Sequence, residues 1–276
     1  MRLRVDGPAG VHEAYAYTGG KSFDAALPTV VFVHGAMHDH SVWTLLARWF
    51  AHHGHGVLAP DLPGHSQSAG PPLQSVEAIA GWLLALLKAA GATEASFVGH
   101  SMGSLVALEA AAQAPAQAQA KHLAMVGTAY PMVVSPALLE AARNDPFAAI
   151  DSVNAFSHST LASKPSYPGP GMWLHGANRA LMRRMQTGQR QANLFLQDFE
   201  VCNRYAGGLS AAARVTCPTT LILGEHDQMT GPKQTTEIAR ALRAHTVKLP
   251  AGHALMSEAP DALLDALRAA LAIKKP

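Results

Sequence analysis

Along the first half of the chain, short and largely apolar runs alternate with longer stretches whose apolar residues recur at helical spacing. Thr29-Val30-Val31-Phe32-Val33, Gly56-Val57-Leu58-Ala59, Ala95-Ser96-Phe97-Val98 and His122-Leu123-Ala124-Met125-Val126 are the short runs. A run with little polar alternation marks a strand buried on both faces, as in a parallel sheet. Between the runs, the spacing predicts helices. One is capped by Ser41, with Trp43, Leu45, Leu46, Trp49 and Phe50 on its inner face. Another covers 75–90 and ends at Gly91, and a third runs to about Ala114, where Pro115 stops it. Residues 2–18 alternate instead, which suits an antiparallel hairpin ended by Thr18-Gly19-Gly20. Strand and helix in alternation predict an α/β fold with a mostly parallel sheet and helices on both faces.

The rhythm breaks at Thr128. From Tyr130 to about Ala213 there is no β-branched strand run. Helical patterns occupy Pro136 to Arg143, Pro146 to Phe156, Asn178 to Met185 and Gln189 to Tyr205, with a turn-rich segment from Lys164 to Gly171. An insert this long is not a structureless loop in a compact domain and is read as a helical subdomain. The rhythm then resumes. Thr219 to Leu223 and Thr246 to Leu249 are strands, 232–243 is a helix, and a final helix runs from about Pro260 to Ile273. The expected division is therefore a core in two parts, 1–129 and 214–276, interrupted by a helical insert at 130–213.

Composition narrows the function classes. With 21 Lys and Arg against 19 Asp and Glu, the net charge is +2, which argues against nucleic acid or an anionic membrane as a partner. Cys202 and Cys217 are too few for a disulfide framework and are expected to be free thiols. The start, Met1 to Asp6, carries charges where a signal peptide needs its apolar segment, so the expected location is the cytoplasm. His52, His53 and His55 have no Cys or carboxylate at ligand spacing and are read as a polar helix end, not a metal site.

The chemistry is centred on Gly99-His100-Ser101-Met102-Gly103. A strand runs into it and a helix leaves it, so the serine sits on a sharp turn with its hydroxyl projecting from the sheet. The glycines keep Cβ atoms out of the place where strand and helix nearly touch. A serine hydroxyl needs an adjacent base, and the base needs a carboxylate to fix its tautomer. Working groups in such sheets sit at the carboxyl ends of strands. One late strand ends in Gly224-Glu225-His226-Asp227 and the next in Pro250-Ala251-Gly252-His253. The candidate catalytic residues are Ser101, Asp227 and His253; Asp227 is favoured over Glu225 and His226 because the turn must travel beyond the strand before a side chain returns over the sheet. The oxyanion hole is expected to use the backbone N–H of Met102 and that of Ala36, with Met37 the alternative to Ala36. His34 is expected to brace that loop.

Taken together, His34-Gly35, Trp43, Asp61-Leu62-Pro63-Gly64-His65, the Ser101 turn, Gly224 to Asp227 and Gly252-His253 resemble the α/β-hydrolase superfamily. The resemblance implies an eight-stranded sheet, the Ser101, Asp227 and His253 assignment, and a helical cap at 130–213 closing over the site. Ser66 departs from the family's usual Gly after Pro-Gly-His. A serine nucleophile sets the chain apart from the dehalogenase type of relative.

The expected reaction is hydrolysis of a small to medium, largely apolar carboxylic ester through an acyl-enzyme on Ser101. It calls for no metal or organic cofactor, and the expected partner is a small-molecule substrate acting on a monomer or homodimer. Candidate substrate-binding residues are Met37, Met132, Phe156, Trp173, Met182, Met229 and Leu255, with Phe147, Met172 and Leu194 as further cap residues. The rival readings are a C–C bond hydrolase, a hydroxynitrile lyase or a perhydrolase on the same triad, or a receptor-like hydrolase fold that binds its ligand without rapid turnover.

Overall fold

The computed structural model describes residues 1–114, 119–159, 173–188 and 193–272. The chain opens with a hairpin, β1 (Arg2–Gly7) and β2 (Gly10–Tyr17), followed by β3 (Thr29–Val33), α1 (Thr44–His52), β4 (Gly56–Pro60) and α2 (Val76–Ala90). Then come β5 (Glu94–His100), α3 (Met102–Gln113) and β6 (Gln119–Val126). Five helices follow without a described strand: α4 (Pro136–Asn144), α5 (Pro146–Phe156), α6 (Leu174–Gly188), α7 (Leu194–Arg204) and α8 (Gly208–Ala212). The core resumes with β7 (Thr219–Gly224), α9 (Thr236–Ala241), β8 (His245–Leu249), α10 (Leu255–Glu258) and α11 (Pro260–Ala270).

The strands form one eight-stranded sheet in the order β1-β2-β4-β3-β5-β6-β7-β8. β1 and β2 pair antiparallel, as do β2 and β4, and every other neighbouring pair is parallel. The central strands are apolar because both faces are covered: all five residues of β3 and all five of β4 are buried. One core cluster joins α2, α3 and the inserted helices to one face, through residues such as Leu83, Leu105, Phe195 and Ile150. A second joins α1 and α11 to the other face, through Trp43, Phe50, Leu263 and Leu267. The residue numbers at which the apolar runs end are therefore the numbers at which loops leave one common edge of the sheet.

Local chemistry sets the helix ends. Asp39, not Ser41, caps the single 3₁₀ turn His40–Trp43 that precedes α1, because its carboxylate accepts the Ser41 N–H at 2.9 Å. The offset turns Leu45 outward, where it is 58% exposed, while Trp43, Leu46 and Phe50 face the core. Ser75 caps α2 and Gly91 ends it at φ 77, the left-handed conformation that suits glycine. Asn193 caps α7. The segment from Lys164 to Gly171, Met172 and the expected helix start at Gln189 lie outside the described residues. Among the described residues, no helix is long and apolar enough to cross a membrane.

Candidate active site

β5 runs into Ser101, whose backbone stands at φ 52, a region that non-glycine residues rarely adopt. The strain persists because the surroundings fix it: the Ser101 N–H donates to the Val126 carbonyl at 3.0 Å. The tightness of the turn is measurable at its glycines. A Cβ on Gly99 would lie 2.0 Å from the Gly103 carbonyl oxygen, and one on Gly103 would lie 2.4 Å from the Val33 and His34 carbonyl oxygens. Met102 opens α3, so its N–H has no acceptor within the helix.

β7 and β8 bring the other two candidates together. Their loops meet so closely that a Cβ on Gly224 would lie 2.2 Å from the Gly252 carbonyl oxygen. His253 Nδ1 is 2.8 Å from Asp227 Oδ2, and both side chains are buried. Glu225 and His226, the rivals, point to solvent. The Asp227 carboxylate also accepts the N–H of Met229 and of Thr230, each at 2.8 Å, and the Thr230 hydroxyl at 2.7 Å. Burial opposes its ionisation, but His253 and these donors together hold the carboxyl well below the usual carboxylate range. A donor to Asp227 must be a nitrogen that carries hydrogen, so His253 Nδ1 holds a proton and Nε2 lies on the far side of the ring from Asp227.

His100 supports this histidine from below. Its Nε2 donates to the His253 carbonyl at 2.9 Å, and burial, with His253 and His38 nearby, drives its pKa far down. The ring is thus a neutral donor. On the other side of Ser101, His34 braces the first loop. The Leu62 N–H donates to His34 Nε2 at 3.0 Å, which leaves the ring proton on Nδ1, and Nδ1 donates to the Gly35 carbonyl at 2.8 Å. Burial and the neighbouring His65 push His34 down to about 4.

Ser101, His253 and Ala36 line one cavity of about 270 Å³. Met132, Phe156, Met182 and Met229 share its wall, as do Val153, Phe199 and Cys202. A second cavity of about 500 Å³, lined by Val42, Leu181, Asn178 and Met256 among others, meets the first at His38, His100, Ser157 and His253. Three candidate pocket residues lie elsewhere. Met37 is wholly buried in the core, and its N–H donates to Asp198 Oδ2 at 2.8 Å. Leu255 is also wholly buried, packed against α11's side of the sheet. Trp173 is 53% exposed and stacks on His175. Of the further cap residues, Leu194 is core and Phe147 lies under the Arg183 guanidinium. Arg184 pairs with Asp39 at 2.9 Å.

The inserted helices line the first cavity and also bond to the loops around it at several places. From α6, Asn178 Oδ1 lies 2.8 Å from His38 Nε2. Asp198 of α7 reaches Met37, as above. Beyond α5, the Ser157 carbonyl accepts the Ala254 N–H at 2.9 Å, and Glu258 accepts the N–H groups of Ser159 at 3.0 Å and Gly252 at 3.3 Å. Thr230, His100 and Asp198 were not among the candidates. Thr230 carries a local signal, since a hydroxyl three residues after an Asp is placed to bond back to it. Asp198 carries none, because its partners are distant in sequence.

Among the described residues, the grouping of carboxylates and imidazole at metal-ligand spacing is Asp39, His40 and Asp61. Its oxygens are already engaged: Asp61 accepts from His40 and Gln67, and Asp39 from Ser41 and Arg184.

Comparison with known proteins agrees with the fold. Over 93 residues the chain is 37% identical to an sn-1-specific diacylglycerol lipase of Mus musculus, a stretch that is 33% of this chain and 30% of that protein. The curated relatives matched first are covered over only 27% to 35% of their own lengths. An esterase from Exiguobacterium antarcticum superposes with a TM-score of 0.81 at 14% identity, over 99% of this chain and 100% of that one. The enol-lactonase from Burkholderia xenovorans LB400 superposes with a TM-score of 0.76 at 22% identity, over 95% and 97%. Identities this low show a shared fold. The match that reaches further is to the model of the alpha/beta hydrolase family, over residues 30–266. The chain is a member of the alpha/beta hydrolase family.

Proposed function

We propose that the protein is a serine hydrolase of small to medium, largely apolar carboxylic esters, with Ser101, His253 and Asp227 as its triad. The observation that carries the reading is the 2.8 Å contact of His253 Nδ1 with Asp227 Oδ2, on a ring that shares its cavity with Ser101. In this reading Ser101 Oγ attacks the ester carbonyl while His253 Nε2 takes the hydroxyl proton. Asp227 stabilises the imidazolium that forms. The N–H groups of Met102 and Ala36 receive the oxyanion; the Met37 N–H is already given to Asp198. His253 returns the proton to the leaving alkoxide. The same nitrogen then deprotonates a water, which attacks the acyl carbon, and Ser101 departs with that proton.

Two cavities that meet at His253 give room on both sides of a scissile bond, and both have walls rich in Met, Leu and Val. The test is hydrolysis of p-nitrophenyl esters from acetate to decanoate by the wild type and by Ser101→Ala. Turnover that is lost in the variant supports the reading. A wild type inert towards every ester of the series overturns it, in favour of C–C bond cleavage, a lyase or slow ligand binding.

A further inference from the structure

The peptide that carries the Ala36 N–H is held from two directions. His34 Nδ1 donates to the Gly35 carbonyl at 2.8 Å, on the opposite side of the same trans peptide as the Ala36 N–H. The next peptide is held by the insert: the Met37 N–H donates to Asp198 Oδ2 at 2.8 Å, across 161 residues of sequence. Met37 stands at φ 61, which a residue with a Cβ keeps only under constraint. The same Asp198 oxygen lies 3.0 Å from His65 Nε2, and His65 Nδ1 faces the Pro63 carbonyl at 3.2 Å. Both ring nitrogens of His65 thus face acceptors, so the ring needs both protons. The two side chains are 3% and 4% exposed, and a buried pair recovers its lost hydration only through close geometry and further hydrogen bonds, which Met37 and Pro63 supply here. His34 stands 5.0 Å from the His65 ring, Asp61 favours its charge, and Cys202 lies near Asp198.

We propose that Asp198 is a positioning residue for the reaction at Ser101: its carboxylate, locked by a cationic His65, fixes the Ala36–Met37 turn and so the N–H that receives the oxyanion. The inserted helices are then part of the catalytic apparatus and not only a wall around the substrate. The inference rests on the hydrolase reading above. A residue that acts by holding an oxyanion donor affects the transition state and leaves ground-state binding alone. Asp198→Ala removes the acceptor; Asp198→Asn keeps an acceptor and loses the charge.

The experiment compares both variants of the full chain with wild type and with Asp151→Asn, whose carboxylate pairs with Arg179 on the surface. It reads steady-state hydrolysis of p-nitrophenyl butyrate and the rate at which a fluorophosphonate probe labels Ser101. Asp198→Ala is expected to lower kcat and the labelling rate by about 10- to 100-fold with KM within about threefold, Asp198→Asn by less, and Asp151→Asn not at all. A raised KM with unchanged kcat, or an unchanged labelling rate, overturns the proposal. Nitrogen-15 NMR of the wild type needs no variant to fold: His65 is expected with both ring nitrogens protonated near neutral pH and the Met37 amide protected from exchange. A neutral His65 with an unprotected Met37 amide overturns the clamp. Failure of the ester reading shows differently, as a wild type that hydrolyses no ester while the probe and NMR signatures persist.

Discussion

Thr230 gives Asp227 both its backbone N–H, at 2.8 Å, and its hydroxyl, at 2.7 Å. The hydroxyl oxygen also lies 3.1 Å from His253 Nδ1, so it sits at the junction of acid and base. Asp227 is thereby aimed by its own loop as well as by His253. Thr230→Val keeps the shape and deletes the donor. A hydrogen bond to a charged group contributes about 1.5–3 kcal/mol, and the backbone donors to Asp227 remain. The expected result is a fall in kcat/KM of about tenfold with little change in KM, read by steady-state ester kinetics; an unaltered kcat would remove Thr230 from the site.

Acidification should act through Asp227. Its pKa is depressed in the folded protein. The stability it contributes is therefore fully present above the unfolded value, about 3.9, and is lost as the pH falls through the folded value. Asp227→Asn removes that dependence. Urea unfolding at pH 6 and pH 3 is expected to show the variant less stable at pH 6 and the gap narrowing at pH 3. A gap that is constant with pH would contradict the assignment.

The elbow leaves no room for a methyl group. Gly99→Ala would place Cβ 2.0 Å from the Gly103 carbonyl oxygen, and backbone cannot yield there without moving Ser101. The expected cost is about 3 kcal/mol or more, seen as a lower thermal midpoint or loss of folded protein, with activity lost in whatever folds.

The smaller cavity should read chain length. Met182 is buried, 1% exposed, and lines it beside Ser101's neighbours from the insert. Met182→Trp would fill part of that space. Each methylene displaced from an apolar site is worth about 0.8 kcal/mol, or roughly fourfold. The preferred p-nitrophenyl ester is expected to shorten by one or two carbons relative to wild type. An unchanged preference would assign the acyl chain to the larger cavity.

The sheet and the Ser101 turn were legible because their causes are local. A strand covered on both faces must be apolar along its length, and a turn that presses backbone on backbone must have glycines at fixed offsets. The insert was legible as an absence of strand runs. What escaped depends on approach in space. Asp198 meets His65 and Met37 only because the insert folds back over the sheet, and nothing in Phe195-Leu196-Gln197-Asp198 announces it. Met37, Leu255 and Trp173 were expected in the pocket because a pocket wall and a core draw on the same residue types; only the fold tells that Met37 and Leu255 are packed away and Trp173 faces water. The helices α8 and α10, of five and four residues, are too short to carry a period.

The attachments of the insert reach loops on both sides of Ser101. Asp198, in α7, holds the turn at Met37, while Ser157 and Ser159, beyond α5, meet the loop of His253 through Ala254 and Glu258. The loops that flank Ser101 are thus cross-linked by hydrogen bonds through a segment distant from both in sequence.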